Sequence, residues 1–195
     1  MIKSNGRILI SGPSGSGKEI AARYIHQNSP RANNRFLTVA CASIQSEKME
    51  ELLFGQEIDG NINPGLFERA HGGTLFFDEV ADLPIGTQAK ILRILVDQVF
   101  FRVGGKNVVR VNCRIISSTS KDLTKEIDDG NFKEELFHRF NVVPIRIPSL
   151  EDRILDIPLL SSHFIDWLAK NEGLPNKQLT ESAIRKLQNM SWPGN

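Results

Sequence analysis

Hydrophobic and polar residues alternate in two ways over the first 148 residues of the chain. Short apolar runs predict buried strands, and longer stretches with apolar residues three or four positions apart predict helices. Strands are predicted at residues 7–11, 36–40, 73–79, 114–119 and 142–147, and helices at 20–26, 46–54, 66–70, 88–98 and 132–140. Strands and helices that follow one another in this way are typical of a parallel sheet between helices. We therefore expect an α/β fold.

Two segments depart from this alternation. Residues 56–65 are polar and rich in turn residues, which predicts a loop. Residues 100–111 contain two short runs of strand-forming residues on either side of Gly104-Gly105. That arrangement predicts a β-hairpin.

The strand pattern stops after residue 148. Amphipathic helices are predicted at residues 157–171 and 180–190. We therefore divide the chain into an α/β core, residues 1–148, and the start of a helical subdomain, residues 149–195.

A glycine-rich segment between the first strand and the first helix matches the motif G-x-x-x-x-G-K. Strand, turn and helix in this order form the context that the motif requires. The tight turn directs backbone N–H groups into one concavity, which together with the helix N-terminus favours a di- or triphosphate. We expect Lys18 to reach the β- and γ-phosphates as a point charge. The residues of this phosphate loop are Gly12, Pro13, Ser14, Gly15, Ser16, Gly17, Lys18 and Glu19.

Two acids, Asp78 and Glu79, end the strand at 73–79, on the edge where open parallel sheets bind ligands. Their distance of about 60 residues from Lys18 predicts a strand next to the strand of the phosphate loop. There Asp78 would hold Mg²⁺ through water, and Glu79 would orient or deprotonate the attacking water. Glu19 stands where Ser or Thr usually holds Mg²⁺, so it would help to hold the metal through water. The alternative interpretation is that Asp78 and Glu79 are two solvated acids at the end of a strand and have no role in catalysis.

The composition excludes several other classes of protein. The 195 residues are 40% hydrophobic with a net charge of +1, and without a basic tract they lack the charge pattern of an autonomous DNA-binding domain. Cys41 and Cys113 are isolated, so we expect buried thiols in a reducing compartment and neither a disulfide nor a zinc site. The absence of a signal peptide and of a long apolar run predicts a cytoplasmic protein without a membrane segment.

Several motifs occur in the order that one family shows. The chain resembles the central AAA+ domain of bacterial enhancer-binding proteins, the sigma-54 activators. The resemblance implies a three-layer α/β/α sandwich with a parallel sheet, followed by a helical lid that is truncated here. It also implies ATP or ADP with Mg²⁺ as cofactors. The motifs are the phosphate loop, Glu51-Leu52-Leu53-Phe54-Gly55, the stretch His71-Gly72-Gly73-Thr74-Leu75-Phe76-Phe77-Asp78-Glu79, Arg102-Val103-Gly104-Gly105, and Trp192-Pro193-Gly194-Asn195.

The resemblance further implies domains and partners beyond this chain. A receiver domain is expected before it and a helix-turn-helix domain after it, which would contact a sensor kinase and DNA. The family's active form implies self-association, as a dimer or as a hexameric or heptameric ring. The chain enters its first strand within about six residues and stops at a turn. We therefore expect a fragment of a longer protein.

One departure from the family concerns the loop that contacts sigma-54. After Phe54-Gly55 the family carries Gly-Ala-Phe-Thr-Gly-Ala, whereas residues 56–65 of this chain are shorter by about six residues and contain no aromatic side chain. In this respect the chain resembles the branch of nitrogen-regulation response regulators called NtrX. The missing aromatic tip argues against remodelling of sigma-54.

Three further departures concern hydrolysis. The family often has Asn at the position of Ala40, where it restrains the catalytic glutamate, and Asn at the position of Ser120, whose shorter side chain would face the γ-phosphate. Of an arginine pair that acts on a neighbouring subunit, the first is Lys133 and only Arg139 remains; the alternative for Arg139 is a surface ion pair with Glu135. Lys cannot replace the planar fork of Arg, and an arginine finger contributes about 10³–10⁵ in turnover. We expect ATP binding with slow, assembly-dependent hydrolysis.

These observations leave three hypotheses. The first is an ATP-binding module of a two-component transcriptional regulator, in which nucleotide controls assembly without remodelling of sigma-54. The second is an active ring-forming ATPase that remodels RNA polymerase or another protein through residues 56–65. The third is a P-loop kinase or GTPase, which the missing guanine-reading motif disfavours, as do Glu19 and the context of Gly72-Gly73-Thr74.

Overall fold

The computed structural model describes residues 4–175 and 177–195. The chain forms two compact units. The first comprises the chain up to Gly12 together with Gly17–Ile147, and the second comprises Pro13–Ser16 together with Pro148–Asn195.

Strands and helices alternate through the first unit, and helices make up the second. The strands are β1 (Ile8–Ser11), β2 (Phe36–Ala40), β3 (Gly55–Ile58), β4 (Asn61–Pro64), β5 (Thr74–Asp78), β6 (Val99–Phe101), β7 (Val108–Arg110), β8 (Arg114–Thr119) and β9 (Val143–Arg146). The helices of the first unit are α1 (Lys18–Gln27), α2 (Ser46–Phe54), α3 (Leu66–Arg69), α4 (Ile85–Asp97), α5 (Leu123–Asp128) and α6 (Glu134–Phe140). Those of the second unit are α7 (Ile157–Asn171) and α8 (Glu181–Gln188).

A five-stranded parallel sheet organises the first unit, with the strand order β2-β5-β8-β1-β9. The prediction that the strand ending in Asp78 lies next to the phosphate-loop strand is therefore wrong. β8 lies between them, pairing with β1 through Ile8↔Ile116 and with β5 through Phe76↔Ile116. The separation along the chain could not reveal this, because β8 follows both strands in sequence. The carboxyl end of β8 is thereby placed beside the two acids.

Hydrophobic side chains fill both faces of the sheet. Successive side chains of a strand point to opposite faces, and on β5 Phe76 packs in the cluster with Ile8 and Ile25 while Phe77 packs against Phe67 and Phe140. Helix α1 covers the first face, and α2, α4 and α6 cover the second. This arrangement confirms the predicted three-layer α/β class.

The prediction of a loop at residues 56–65 is wrong, because β3 and β4 pair there as an antiparallel hairpin. Its turn is Asp59-Gly60, with φ of 49° and 81°, and two consecutive residues with positive φ are what a two-residue hairpin turn requires. The polar composition hid the strands, since neither has an apolar face to give a period of two. The second hairpin, β6–β7, is confirmed.

The two hairpins of the first unit are joined to each other. The Glu57 N–H donates to the Val103 carbonyl and the Val103 N–H donates to the Gly55 carbonyl, both at 2.9 Å. Arg102 donates to Glu57 at 3.0 Å and to Glu68 at 2.6 and 2.9 Å, with 12–16% of each side chain exposed. These carboxylates raise the pKa of Arg102, and the hydrogen bonds to Glu68 make the largest contribution. Hairpin β3–β4 is therefore held firmly in place.

The helices of the second unit follow the sequence predictions. In α8 the Thr180 hydroxyl caps the N-terminus by accepting from the Ala183 N–H at 3.3 Å. The Trp192 indole N–H donates to the Leu187 carbonyl at 3.1 Å, which ties the final turn to α8.

Two further expectations concern thiols and membranes. Cys41 and Cys113 are both free thiols; Cys41 is buried as predicted, whereas Cys113 is only half-buried. Burial raises the pKa of Cys113 to about 11 and raises that of Cys41 further. Among residues 4–175 and 177–195, no helix has the length and apolar character needed to cross a bilayer.

Candidate nucleotide-binding site

Lys18 is the first residue of α1 and lies almost completely buried, with 6% of its surface exposed. Gly17 precedes it with φ of 95°, a left-handed conformation that glycine adopts without strain. The Lys18 ammonium lies 3.0 Å from the Gly12 carbonyl and 3.0 Å from Glu79 Oε1. A buried charge needs such partners. The structure thus brings the predicted cation and the predicted base together.

Glu79 is held from both sides. It follows β5 with φ of 57°, in the left-handed region that non-glycine residues rarely adopt. While Oε1 faces Lys18, Oε2 accepts from the Ser120 N–H at 2.7 Å and from the Ser120 hydroxyl at 2.9 Å. Backbone strain of this kind concentrates at functional sites. The arrangement fixes a carboxylate at the edge of the sheet.

Ser118 connects the two acids, and the sequence analysis missed it. Its hydroxyl donates to Asp78 Oδ1 at 2.6 Å and accepts from the Glu79 N–H at 3.2 Å. Ser118 is fully buried on β8. The available signal was a run of hydroxyl residues, Ser117-Ser118-Thr119, directly after the apolar pair Ile115-Ile116 in a strand predicted to be buried. Such buried hydroxyls need partners.

Position 40 contributes no hydrogen bond to the base through its side chain. Ala40 stands in register with Asp78 across β2 and β5, and a methyl group cannot restrain a carboxylate. Ser120 contacts Glu79 in this structure, and that it faces the γ-phosphate stays a prediction.

Residues 13–16 of the phosphate loop belong to the second unit, where two side chains hold their carbonyls. Arg153 Nη2 donates to the Ser16 carbonyl at 2.7 Å, and Asn195 Nδ2 donates to the Ser14 carbonyl at 2.8 Å. A Cβ at Gly15, whose φ is 75°, would lie 2.1 Å from the Gly194 carbonyl oxygen. Only glycine fits there. Sequence reasoning identified neither side chain as functional, because more than 130 residues separate each from its partner.

The two candidate metal ligands, Asp78 and Glu19, differ in burial and in their hydrogen-bond partners. Asp78 lies half-buried at the sheet edge with one oxygen on Ser118. The Glu19 carboxylate is exposed and pairs with Arg23 one helical turn away, at 2.7 and 3.0 Å. In the part of the chain that the structure describes, no three acidic, His or Cys side chains gather into a metal site. A donor set of one or two carboxylates suits Mg²⁺, which keeps several waters and binds phosphate oxygens.

Arg139 lies exposed in the last turn of α6. The Arg139 carbonyl accepts from Arg7 Nη1 at 3.5 Å. The pKa of Arg7 is lowered mainly by burial of the guanidinium and, to a smaller extent, by the charge of Arg139. Among the described residues no ion pair joins Arg139 to Glu135. Lys133, at the start of the same helix, is tied through its N–H to Gln88 at 2.9 Å.

Comparison with known protein families assigns both parts of the chain. The family described as "Sigma-54 interaction domain" matches residues 1–146. The chain belongs to this family. The family described as "AAA+ ATPase lid domain" matches residues 151–195. Membership confirms the resemblance that the motifs indicate and disfavours a P-loop kinase or GTPase.

Known relatives resemble the chain over all or nearly all of its length. The nitrogen assimilation regulatory protein NtrX of Azorhizobium caulinodans is 50% identical over 194 residues, which cover 98% of this chain and 43% of the relative. Structures of NtrX from Brucella abortus in complex with ADP and with ATP are each 50% identical, with TM-scores of 0.94 and 0.92. They cover 100% of this chain, which spans 44% and 45% of theirs. The chain is thus less than half as long as these relatives.

Proposed function

We propose that the chain is the ATP-binding AAA+ module of a two-component transcriptional regulator, in which nucleotide controls assembly without remodelling of sigma-54. The observation that carries the proposal is the buried ammonium of Lys18 at the end of the phosphate loop, 3.0 Å from Glu79. The nitrogen-regulation relatives and the ATP and ADP complexes of a 50% identical NtrX support it.

Nucleotide binding would use the phosphate loop and Lys18. The backbone N–H groups of residues 14–19 would surround the phosphates, since Pro13 has no N–H and that of Gly12 donates to the Thr119 carbonyl at 3.2 Å. Lys18 would neutralise the β- and γ-phosphates. Asp78 would hold Mg²⁺ through water, with Ser118 fixing its orientation. Glu19 would assist only by leaving its ion pair with Arg23. The bound metal would neutralise charge that develops on the phosphates.

Hydrolysis, where it occurs, would depend on Glu79 and on a neighbouring subunit. Glu79 would orient or deprotonate water, held by Ser120 through Oε2. Arg139 would complete the site of a neighbouring protomer, since it is exposed on α6 and carries no ion pair with Glu135 among the described residues. We therefore expect slow turnover that rises with assembly.

Hairpin β3–β4 supports the absence of sigma-54 remodelling. Its turn carries Asp59-Gly60 and no aromatic side chain, and Arg102 fixes the hairpin through Glu57. A short, fixed hairpin lacks the reach and the aromatic tip of the family's sigma-54 loop. The exposed side chains near its turn are Ile58 and Ile62, 51% and 54% exposed.

A second candidate function is the active ring-forming ATPase that remodels RNA polymerase or another protein. One observation favours it: Asp78, Glu79, Ser118 and Ser120 form a connected set of hydrogen bonds around an intact acid pair. In that case hairpin β3–β4 would contact the remodelled protein.

The whole regulator would have the partners that its further domains supply. We propose a cognate sensor kinase and DNA as partners through a receiver and a helix-turn-helix domain, and self-association as a dimer or a hexameric or heptameric ring through this module. The cytoplasm is the proposed location.

The experiment that tests the proposal combines calorimetry with a transcription assay. Titration with ATP and ADP in Mg²⁺ should show one site per chain. Open-complex formation by sigma-54 polymerase with ATP should stay at background, while a relative with the aromatic loop activates it in parallel. No nucleotide binding would refute the module, and ATP-dependent open complexes would establish the second candidate instead.

A further inference from the structure

Two carbonyl groups of the phosphate loop, those of Ser14 and Ser16, are held by side chains of the second unit. Arg153 Nη2 holds the Ser16 carbonyl at 2.7 Å and Asn195 Nδ2 holds that of Ser14 at 2.8 Å. Asn195 is itself held, because its Oδ1 accepts from the Leu150 N–H at 2.7 Å. The Pro13 carbonyl has a backbone partner, since it accepts from the Ser16 N–H at 3.2 Å.

Fixing a carbonyl also fixes the N–H of the next residue. The peptide unit is planar and trans, so its C=O and N–H point in opposite directions. When Arg153 holds the Ser16 carbonyl, it therefore sets the direction of the Gly17 N–H. N–H groups that converge in this way form the anion-binding concavity of a phosphate loop. Without the hold, glycine on either side of Ser16 would leave both peptides free to rotate.

Two buried polar atoms at this contact point to a ligand. Arg153 Nε and Ser16 Oγ have no hydrogen-bond partner among the described residues, and only 3% of Ser16 is exposed. Burying such groups unpaired costs free energy. Phosphate oxygens are acceptors that both could use. Arg153 lies in a short 3-10 segment, Glu151–Asp156, and its backbone, with φ of −133° and ψ of 44°, interrupts that segment.

We infer that Arg153 is a positioning residue of the phosphate loop, and that affinity for the phosphates of ATP and ADP depends on it. The inference rests on the proposed nucleotide binding. A planar guanidinium suits this role, since one nitrogen can hold the carbonyl while another remains for an oxygen of the ligand. Lysine carries its three donors on one nitrogen, so it can make both contacts only where the carbonyl and the ligand oxygen lie close to one point.

Calorimetry and hydrogen exchange on the whole protein test the inference. Arg153→Gln should weaken ATP and ADP binding about tenfold, as expected for one lost charge-assisted hydrogen bond, and Arg153→Lys should fall between it and wild type. In the absence of nucleotide, amides of residues 14–18 should exchange faster in Arg153→Gln, while those of α7 and α8 stay unchanged. Arg185→Gln, at an exposed arginine of α8, is the matched control and should change neither measurement.

The outcomes separate three cases. Affinities within twofold of wild type in Arg153→Gln would overturn the inference. Faster exchange throughout α7 and α8 would overturn it too, because Arg153 would then only hold the helical unit together. If wild-type protein bound no nucleotide, the proposed function would fail, and exchange in residues 14–18 would still decide whether Arg153 orders the loop.

Discussion

Lys18 and Glu79 form an ion pair with 3.0 Å between Nζ and Oε1, in which 6% and 20% of the two side chains are exposed. The cation expected to bind ATP phosphates and the carboxylate expected to activate water are thus each other's partners. Phosphates that reach Lys18 must compete with Glu79. Nucleotide entry and release of the base from Lys18 are therefore coupled.

Replacing each member of the pair should have opposite consequences for ATP binding. Lys18→Ala should weaken ATP binding by about 100-fold, because it removes charge-assisted hydrogen bonds to two phosphates. Glu79→Gln should keep or tighten ATP binding, because it frees Lys18 from a competing charge. Calorimetry measures both, with Lys90→Ala, at an exposed lysine that pairs with Glu50, as the control. ATP affinity in Lys18→Ala equal to wild type would show that the phosphate-loop assignment is wrong.

Ser120→Ala should lower turnover about tenfold and leave the KM for ATP unchanged. The substitution removes one of two hydrogen bonds that hold Glu79 Oε2, and the backbone N–H of residue 120 retains the other. Ser120→Thr keeps the hydroxyl and should retain most of the turnover, and Ser46→Ala, at an exposed serine of α2, is the control. Steady-state kinetics decide the matter. A raised KM at constant kcat would mean that Ser120 contacts the nucleotide instead, as its position in the sequence suggested.

Arg139 should act on the site of a neighbouring protomer. Arg139→Ala alone should lower turnover by at least tenfold. An arginine finger contributes about 10³–10⁵ to turnover, but when the starting turnover is slow, the basal rate that remains limits the loss that can be measured. A mixture with Lys18→Ala should regain part of it, because the Lys18→Ala protomer supplies Arg139 to a partner that still binds ATP. Hydrolysis assays of each variant and of the mixture test this. No recovery on mixing, at concentrations where both assemble, would argue against action between protomers.

Removing Arg102 should loosen the joined hairpins. Arg102→Ala leaves Glu57 and Glu68 without their shared cation, at 12–16% exposure, and should cost about 2 kcal/mol, less than a fully buried pair because solvent screens part of it. Urea denaturation measures the change in free energy of unfolding. Arg185→Ala, whose arginine is 76% exposed, should change it by less than about 0.5 kcal/mol. Equal values for the two variants would mean that the hairpins are held by their backbone alone.

Local features of the fold could be predicted from the sequence. The strand, glycine turn and helix around Lys18 and the helices α2 and α7 depend on neighbouring residues, so apolar spacing and glycine positions were enough. Helix α5 was missed, since its six residues give too short a period, although the Asp122 side chain caps it by accepting from Thr124 N–H at 2.9 Å.

Features that depend on distant partners could not be predicted in this way. The place of β8 between β1 and β5 follows from pairing across the sheet, which leaves no trace in the separation of Lys18 and Asp78. The roles of Ser118 and Arg153 depend on partners 40 and 137 residues away. Hairpin β3–β4 has polar strands, and only Asp59-Gly60 signalled its turn.

Sedimentation velocity with parallel measurement of ATP turnover, over a range of protein concentrations in Mg²⁺, tests the central claim most directly. The protein should form larger assemblies with ATP than with ADP or without nucleotide, and its slow turnover per protomer should rise with assembly. Lys18→Ala should show no response to ATP. An unchanged assembly state in saturating ATP would contradict nucleotide control of assembly, and rapid turnover by dilute monomer would contradict the role given to Arg139.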